Sequence, residues 1–133
     1  DGRKARRVEA GGREMTFSPE GRTVAFRGSA FVIVSGAKLT AGGVTISLEP
    51  GKKEVRGFAA GGSVVVGLAG YEGRGEEARY DPAAETLVLT GGAVLVEKGG
   101  GSSRGDKLTF RLADDRILIE NRGQGRSFTV VKS

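Results

Sequence analysis

GEEARYDPAAETLVLTGGAVLV, residues 75 to 96, reads as strand, tight turn, strand, glycine corner, strand, and the rest of the chain can be laid over it. Shifted back by 63 positions, residues 12 to 33 (GREMTFSPEGRTVAFRGSAFVI) align without a gap. Phe17 then falls on Tyr80, Pro19 on Pro82, Val24 and Phe26 on Leu87 and Leu89, Gly28 on Gly91, and Phe31 and Ile33 on Val94 and Val96. Shifted forward by 30, residues 105 to 121 (GDKLTFRLADDRILIEN) align as well, with Phe110 on Tyr80 and Ile117 and Ile119 on Leu87 and Leu89. A fourth copy, Ala41 to Val66, fits with a small insertion around Pro50-Gly51. The chain is about four copies of one β-unit, with a period near thirty residues.

Alternation supports strands throughout. Met15 and Phe17, Val24 and Phe26, Val44, Ile46 and Leu48, Leu87 and Leu89, Leu108, Phe110 and Leu112, Ile117 and Ile119, and Phe128 and Val130 are spaced by two. Residues two apart share a strand face, so each set marks an inward face. No helical spacing of apolar residues escapes interruption by glycine. Ser18-Pro19-Glu20-Gly21 and Asp81-Pro82-Ala83-Ala84 place proline second and a turn-forming acceptor first, as type I turns prefer. Gly28, Gly57, Gly91-Gly92 and Gly123 follow the second strand of each unit, where a bulge lets a strand change direction or sheet. The runs 31–34, 64–66, 87–89, 94–96 and 117–119 are apolar on both faces. Ordinary β-propensity accounts for this, and so does contact with another layer, a ligand or a neighbouring molecule.

Composition narrows the chemistry. With 133 residues the chain can bury a core, and 24 glycines beside 38% hydrophobic residues suit many turns rather than a disordered linker. There is no cysteine and no histidine, which removes disulfides, thiolate metal sites, His-based triads and the usual proton shuttle. The net charge is +5, of which +3 sits in residues 1–7 (DGRKARR), read as a basic, flexible arm ahead of one domain over 8–133. No run has the apolar length of a signal peptide or a membrane helix.

The motifs that resemble enzyme signatures do not hold up. Gly73-Arg74-Gly75-Glu76-Glu77-Ala78 matches a dinucleotide fingerprint, but strand and turn follow where a helix is needed. Glu76 and Glu77 point to opposite faces of a strand and cannot share a proton, and Asp114-Asp115 falls in a turn. Catalytic residues, metal ligands and cofactors are therefore not assigned. Lys52, Lys53, Arg56, Arg74, Arg79, Arg104 and Lys107 sit at or near turns; solubility explains them, and a rim for anionic head groups is the alternative. Aromatic residues interleaved with these cations are missing, so nucleic acid is not expected.

The unit "Gly, two polar residues, apolar-x-aromatic, Asp-Pro-Ala, Leu-x-Leu-Thr-Gly-x-Ala-Val-x-Val" resembles the OstA-like domain of the lipopolysaccharide transport bridge. That domain is found in LptA, in the N-terminal part of LptD and, more distantly, in LptC. The resemblance is best over Gly73 to Val96, continues through Gly105 to Phe110, and extends in weaker copies across residues 8 to 131. It implies an all-β fold, an OstA-like β-jellyroll of two opposed antiparallel sheets built from about four strand-turn-strand repeats. It further implies a periplasmic, non-enzymatic protein that holds lipopolysaccharide, or a similar amphipathic envelope lipid, by its acyl chains in an apolar groove. Implied partners are sister LptC-like and LptD-like domains paired through edge strands, in a head-to-tail homo-oligomer.

The groove positions implied are Phe17, Phe26, Phe31, Ile33, Ile46, Val64, Val66, Tyr80, Leu87, Leu89, Val94, Val96, Phe110 and Ile117, with Lys52, Lys53, Arg56, Arg74 and Arg104 at a head-group rim. The short basic N-terminus carries no membrane anchor, which points away from an intact LptC, and nothing resembles the barrel of LptD. The rival reading is a self-assembling structural β-repeat of the bactofilin-like solenoid kind, with a filled core and regular coils and no lipid ligand.

Overall fold

The computed structural model describes residues 8–51, 55–68, 70–114, 116–121 and 126–131, with Asn121 and the last segment through their backbone only. Residues 1–7, Lys52, Lys53, Asp115 and Gly123 lie outside the described residues. Every regular element among those described is a strand: β1 (Val8–Gly11), β2 (Glu14–Ser18), β3 (Thr23–Val34), β4 (Ala37–Leu48), β5 (Val55–Leu68), β6 (Tyr71–Asp81), β7 (Thr86–Glu97), β8 (Ser102–Arg111), β9 (Arg116–Asn121) and β10 (Arg126–Val131). All pairings are antiparallel, in the order β1-β3-β4-β5-β6-β7-β8-β9-β10, with β2 beside β3. The sheet is not closed. The four repeats are its hairpins: β2–β3, β4–β5, β6–β7 and β8–β9.

Turn chemistry repeats with the sequence. Asp81 Oδ1 accepts from the backbone N–H of Ala83 at 3.0 Å, fixing the turn after the β6 strand. Arg22 and Glu85, equivalent under the 63-residue shift, both take left-handed φ (52° and 55°). Their carbonyls accept from Leu48 and Leu112 of the next hairpin, each at 2.9 Å. At the opposite end, Ser35-Gly36 joins β3 to β4 with φ of 48° and 82°, the two positive values a twisted two-residue hairpin turn needs.

A crease crosses the ladder. The long odd strands each pass through two residues of left-handed φ: Gly28-Ser29 (78°, 52°), Gly62-Ser63 (87°, 53°) and Gly91-Gly92 (84°, 66°). Their partners β4, β6 and β8 carry one residue fewer through the same line. An unmatched residue leaves the ladder, bends its strand and sharpens the local twist; aligned strand after strand, these bulges fold the sheet. Successive corners touch, since a Cβ on Gly62 would lie 3.4 Å from Gly42 Cα. β1 and β2 are two pieces of one edge, parted at the same crease, where Arg13 N–H donates to Gly28 O at 2.9 Å.

The crease creates two opposed layers within one continuous ladder. One contains 8–11, 30–34, 37–41, 64–68, 71–74, 93–97 and 102–105. The wider one contains 14–18, 23–27, 43–48, 55–61, 77–81, 86–90, 107–111, 116–121 and 126–131. Their contact is direct: Phe110 of the wider layer lies over Gly73 of the other, so closely that a Cβ on Gly73 would be 2.7 Å from Phe110 Cζ. The β-jellyroll is thus a folded sheet whose two layers share one core.

The corners also set which residues face inward. On odd strands the inward positions resume four residues on: Phe26 then Ala30, Ala60 then Val64, Leu89 then Ala93. On β4 they resume three residues on, from Ala41 to Val44. Gly57 is not a sheet corner; that role in its repeat belongs to Gly62-Ser63, and Gly57 flanks a separate one-residue bulge at Arg56.

Candidate functional site

The space between the layers is the candidate site. Ile46, Val64, Val66, Tyr80, Leu87, Leu89, Phe110 and Ile117, eight of the expected positions, are buried there. No charged side chain is buried among the described residues. Alternation on both layers therefore builds one apolar interior, dense at its centre, where Leu87, Leu89 and Phe110 have no exposed surface. Phe58, which the sequence reading did not single out, stacks on Tyr80 with ring centroids 5.0 Å apart. The signal existed: Phe58 pairs with both Ile46 and Tyr80, and the extra residue at Arg56 hid the alignment.

Four expected groove residues are placed differently. Phe31, Ile33, Val94 and Val96 lie on the outer face, and the interior takes Ala30, Val32, Val34, Ala93 and Leu95 instead. The reason is the four-residue step at the corners. The runs FVIV and AVLV are apolar on both parities, so hydrophobicity could not choose between them, and the small Ala30 and Ala93 that open the inward series look unlike core residues. Phe31 has a local partner, its ring covering the bare Cα of Gly11 across the β1–β3 pair.

The interior loses its cover at the β2 edge. Phe17 pairs with Val24 and Met15 with Phe26, all on the inward face, yet Phe17 is 49% exposed and Met15 64%. Val24 and Phe26 beside them are half-buried, with Phe26 packed against the core. Phe17 is therefore not enclosed but marks an uncovered apolar end of the interior.

The described cations of the expected rim stand on different layers. Arg74 and Arg104 stand on the outer face of the narrower layer, each opposite Val94. Arg74 is bound to Glu72, its Nη2 2.6 Å from Oε2. Arg56 stands exposed on the wider layer, and Lys52 and Lys53 lie outside the described residues. Among the acids, Glu76 sits at the β6 corner over Gly91, and Asp114 meets Arg111 and Arg116 at 3.5 and 3.8 Å. These are exposed contacts of the surface, and no group of three or more possible metal ligands forms among the described residues.

Comparison with known proteins agrees with this architecture. No curated protein sequence matches the chain. Among solved structures it is similar to LptH from Pseudomonas aeruginosa, the LptA-homologous periplasmic component of the lipopolysaccharide transport device. The TM-score is 0.74 at 13% identity, with 96% of each chain covered. The family model "LptA/(LptD N-terminal domain) LPS transport protein" matches residues 8–116. With that match spanning most of the folded ladder, the chain belongs to the LptA/LptD N-terminal domain family of lipopolysaccharide transport proteins.

Proposed function

We propose that this chain is a non-enzymatic periplasmic carrier that takes the acyl chains of lipopolysaccharide, or of a similar envelope lipid, between its two layers and passes them toward the outer membrane. The observation that carries this reading is the apolar interior, uncharged among the described residues, that comes to the surface at Met15, Phe17, Val24 and Phe26. Each buried CH2 contributes about 0.8 kcal/mol, so a few acyl chains bind strongly without specific polar contacts. The centre is filled, with Phe110 against Gly73. A lipid therefore enters at the β2 end and parts the layers as it advances. Lipopolysaccharide transport is the role stated for the LptH structure, and it suits an interior of this kind.

Passage between molecules follows from the edges. β1 and β2 at one end and β10 at the other each have a described partner on one side only. An added strand completes such an edge, so LptC-like, LptD-like or identical domains would extend the ladder head to tail. The solenoid alternative fares worse: the core is filled as that reading needs, but the strands are antiparallel hairpins rather than regular coils.

The test is co-elution of purified protein with labelled lipopolysaccharide at low and high salt. Retention at high salt is expected, because acyl burial is not screened while exposed charge contacts are. Phe26→Arg, at the half-buried end, should lose the lipid while keeping its circular dichroism spectrum; Ile33→Arg, on the outer face, should keep it. Lipid retained by folded Phe26→Arg, or lost from wild type at high salt, refutes the reading.

A further inference from the structure

On the outer face of the wider layer, across the sheet from the interior, lies a depression of about 580 Å³. Its floor is a matter of missing side chains. Gly57 pairs with Ser47, and Ala59 sits between Thr45 and Arg79 in one cross-strand row. That row reads Thr16, Ala25, Thr45, Ala59, Arg79, Val88, Thr109, Leu118 from β2 to β9, with Arg79 its single charge. The bulge at Arg56 sets a second guanidinium at the same hollow.

Neither arginine has an ion pair or hydrogen bond to another described residue. Asp81 also lines the hollow, and its Oδ1 is turned to the backbone, where it accepts from the N–H of Ala83. Two guanidinium groups against the single described carboxylate of the lining leave an excess of positive charge suited to an anion, and their planar forks match phosphoryl oxygens. Thr45, Ser47 and Thr86 add hydroxyls that donate or accept. The volume falls in the range of about 300–1,000 Å³ typical of small-molecule sites, larger than a bare ion needs. Beneath the floor the stacked Phe58 and Tyr80 alternate along their strands with Gly57, Ala59, Arg79 and Asp81, which holds the hollow in shape.

We propose that this depression binds a phosphorylated saccharide, its phosphoryl group between Arg56 and Arg79 and its sugar hydroxyls on Thr45, Ser47 and Thr86. The proposal stands apart from the lipid reading, since it uses the opposite face of the sheet. A free sugar phosphate and the phosphorylated sugar head of a glycolipid share this chemistry, and the test separates them.

Amide shifts of the labelled full chain are followed by NMR during titration with glucose 1-phosphate, and separately with detergent-solubilised rough lipopolysaccharide. Saturable movement of Gly57, Ala59 and Arg79 with glucose 1-phosphate is expected, with affinity reduced roughly tenfold or more in Arg79→Gln, as for loss of one charge-assisted contact. Ala59→Glu, which places an anion on the floor, should abolish the movement, and Arg104→Gln, on the other layer, should leave it unchanged. Movement with lipopolysaccharide alone assigns the site to a lipid head group; movement with glucose 1-phosphate shows that a soluble sugar phosphate suffices. Unmoved amides with both probes, or equal affinity in Arg79→Gln, overturns the proposal.

Discussion

Gly73→Ala tests whether the two layers meet where the folded sheet requires. The added methyl would stand 2.7 Å from Phe110 Cζ and 2.9 Å from Cε1, with Leu108 Cδ1 at 3.6 Å. Phe110 has no exposed surface, so its ring has nowhere to retreat. Overpacking of this kind costs about 1–3 kcal/mol. The backbone itself tolerates alanine, and the lost freedom of the unfolded chain returns about 0.4–1 kcal/mol. The net expectation is a loss of about 1–2 kcal/mol, read as a lower urea midpoint with unchanged slope. The control is the same substitution in a Phe110→Leu background. Shortening the ring removes the obstacle, so Gly73→Ala there should be neutral or slightly stabilising, giving a coupling of about 1–3 kcal/mol between residues on different layers. Equal costs in both backgrounds would mean that Phe110 does not lie over Gly73, and the opposed layers would have to be redrawn.

Three further expectations can be checked by the same denaturation assay. Leu89→Ala should cost about 2–5 kcal/mol by leaving a cavity, whereas Val94→Thr on the outer face should stay within about 0.5 kcal/mol; the reverse order would restore Val94 to the interior. Gly91→Ala should be destabilising by about 1–3 kcal/mol, because it combines a left-handed φ of 84° with a Cβ 2.7 Å from Glu76 Cβ. Its neighbour Gly92, with φ of 66° and open space, should accept asparagine at about 1 kcal/mol or less. Asp81→Ala removes the acceptor for Ala83 N–H and should cost about 0.5–1.5 kcal/mol.

Much of this architecture is legible in the sequence because the repeat is written twice, in the period-two runs and in the turns. Pro19 and Pro82 locate two hairpins, and Gly28 and Gly91-Gly92 locate the crease. What alternation could not supply is the number of residues each corner consumes. Where a run is apolar on both faces, as at 31–34 and 93–96, that number alone decides what is inside. Phe58 was lost for a related reason, since one residue at Arg56 shifts the phase of its repeat. The uncovered end at Met15 and Phe17 was also beyond the pattern, because alternation names a face without saying whether anything lies opposite.

Each described strand hydrogen-bonds to its neighbour in the chain, apart from the split first edge. Such a ladder behaves as a one-dimensional array, its stability close to a sum of unit and nearest-neighbour terms. Amide exchange should accordingly slow from the terminal strands toward β5, β6 and β7, with fraying from both ends. The same arithmetic makes the length of the molecule adjustable. Duplicating residues 72–101, one hairpin with its corner and the turn that follows it, adds a pair of strands to each layer and leaves every other register as it was. A longer span across a wider gap thus requires no new fold, only another copy of a hairpin the chain already contains.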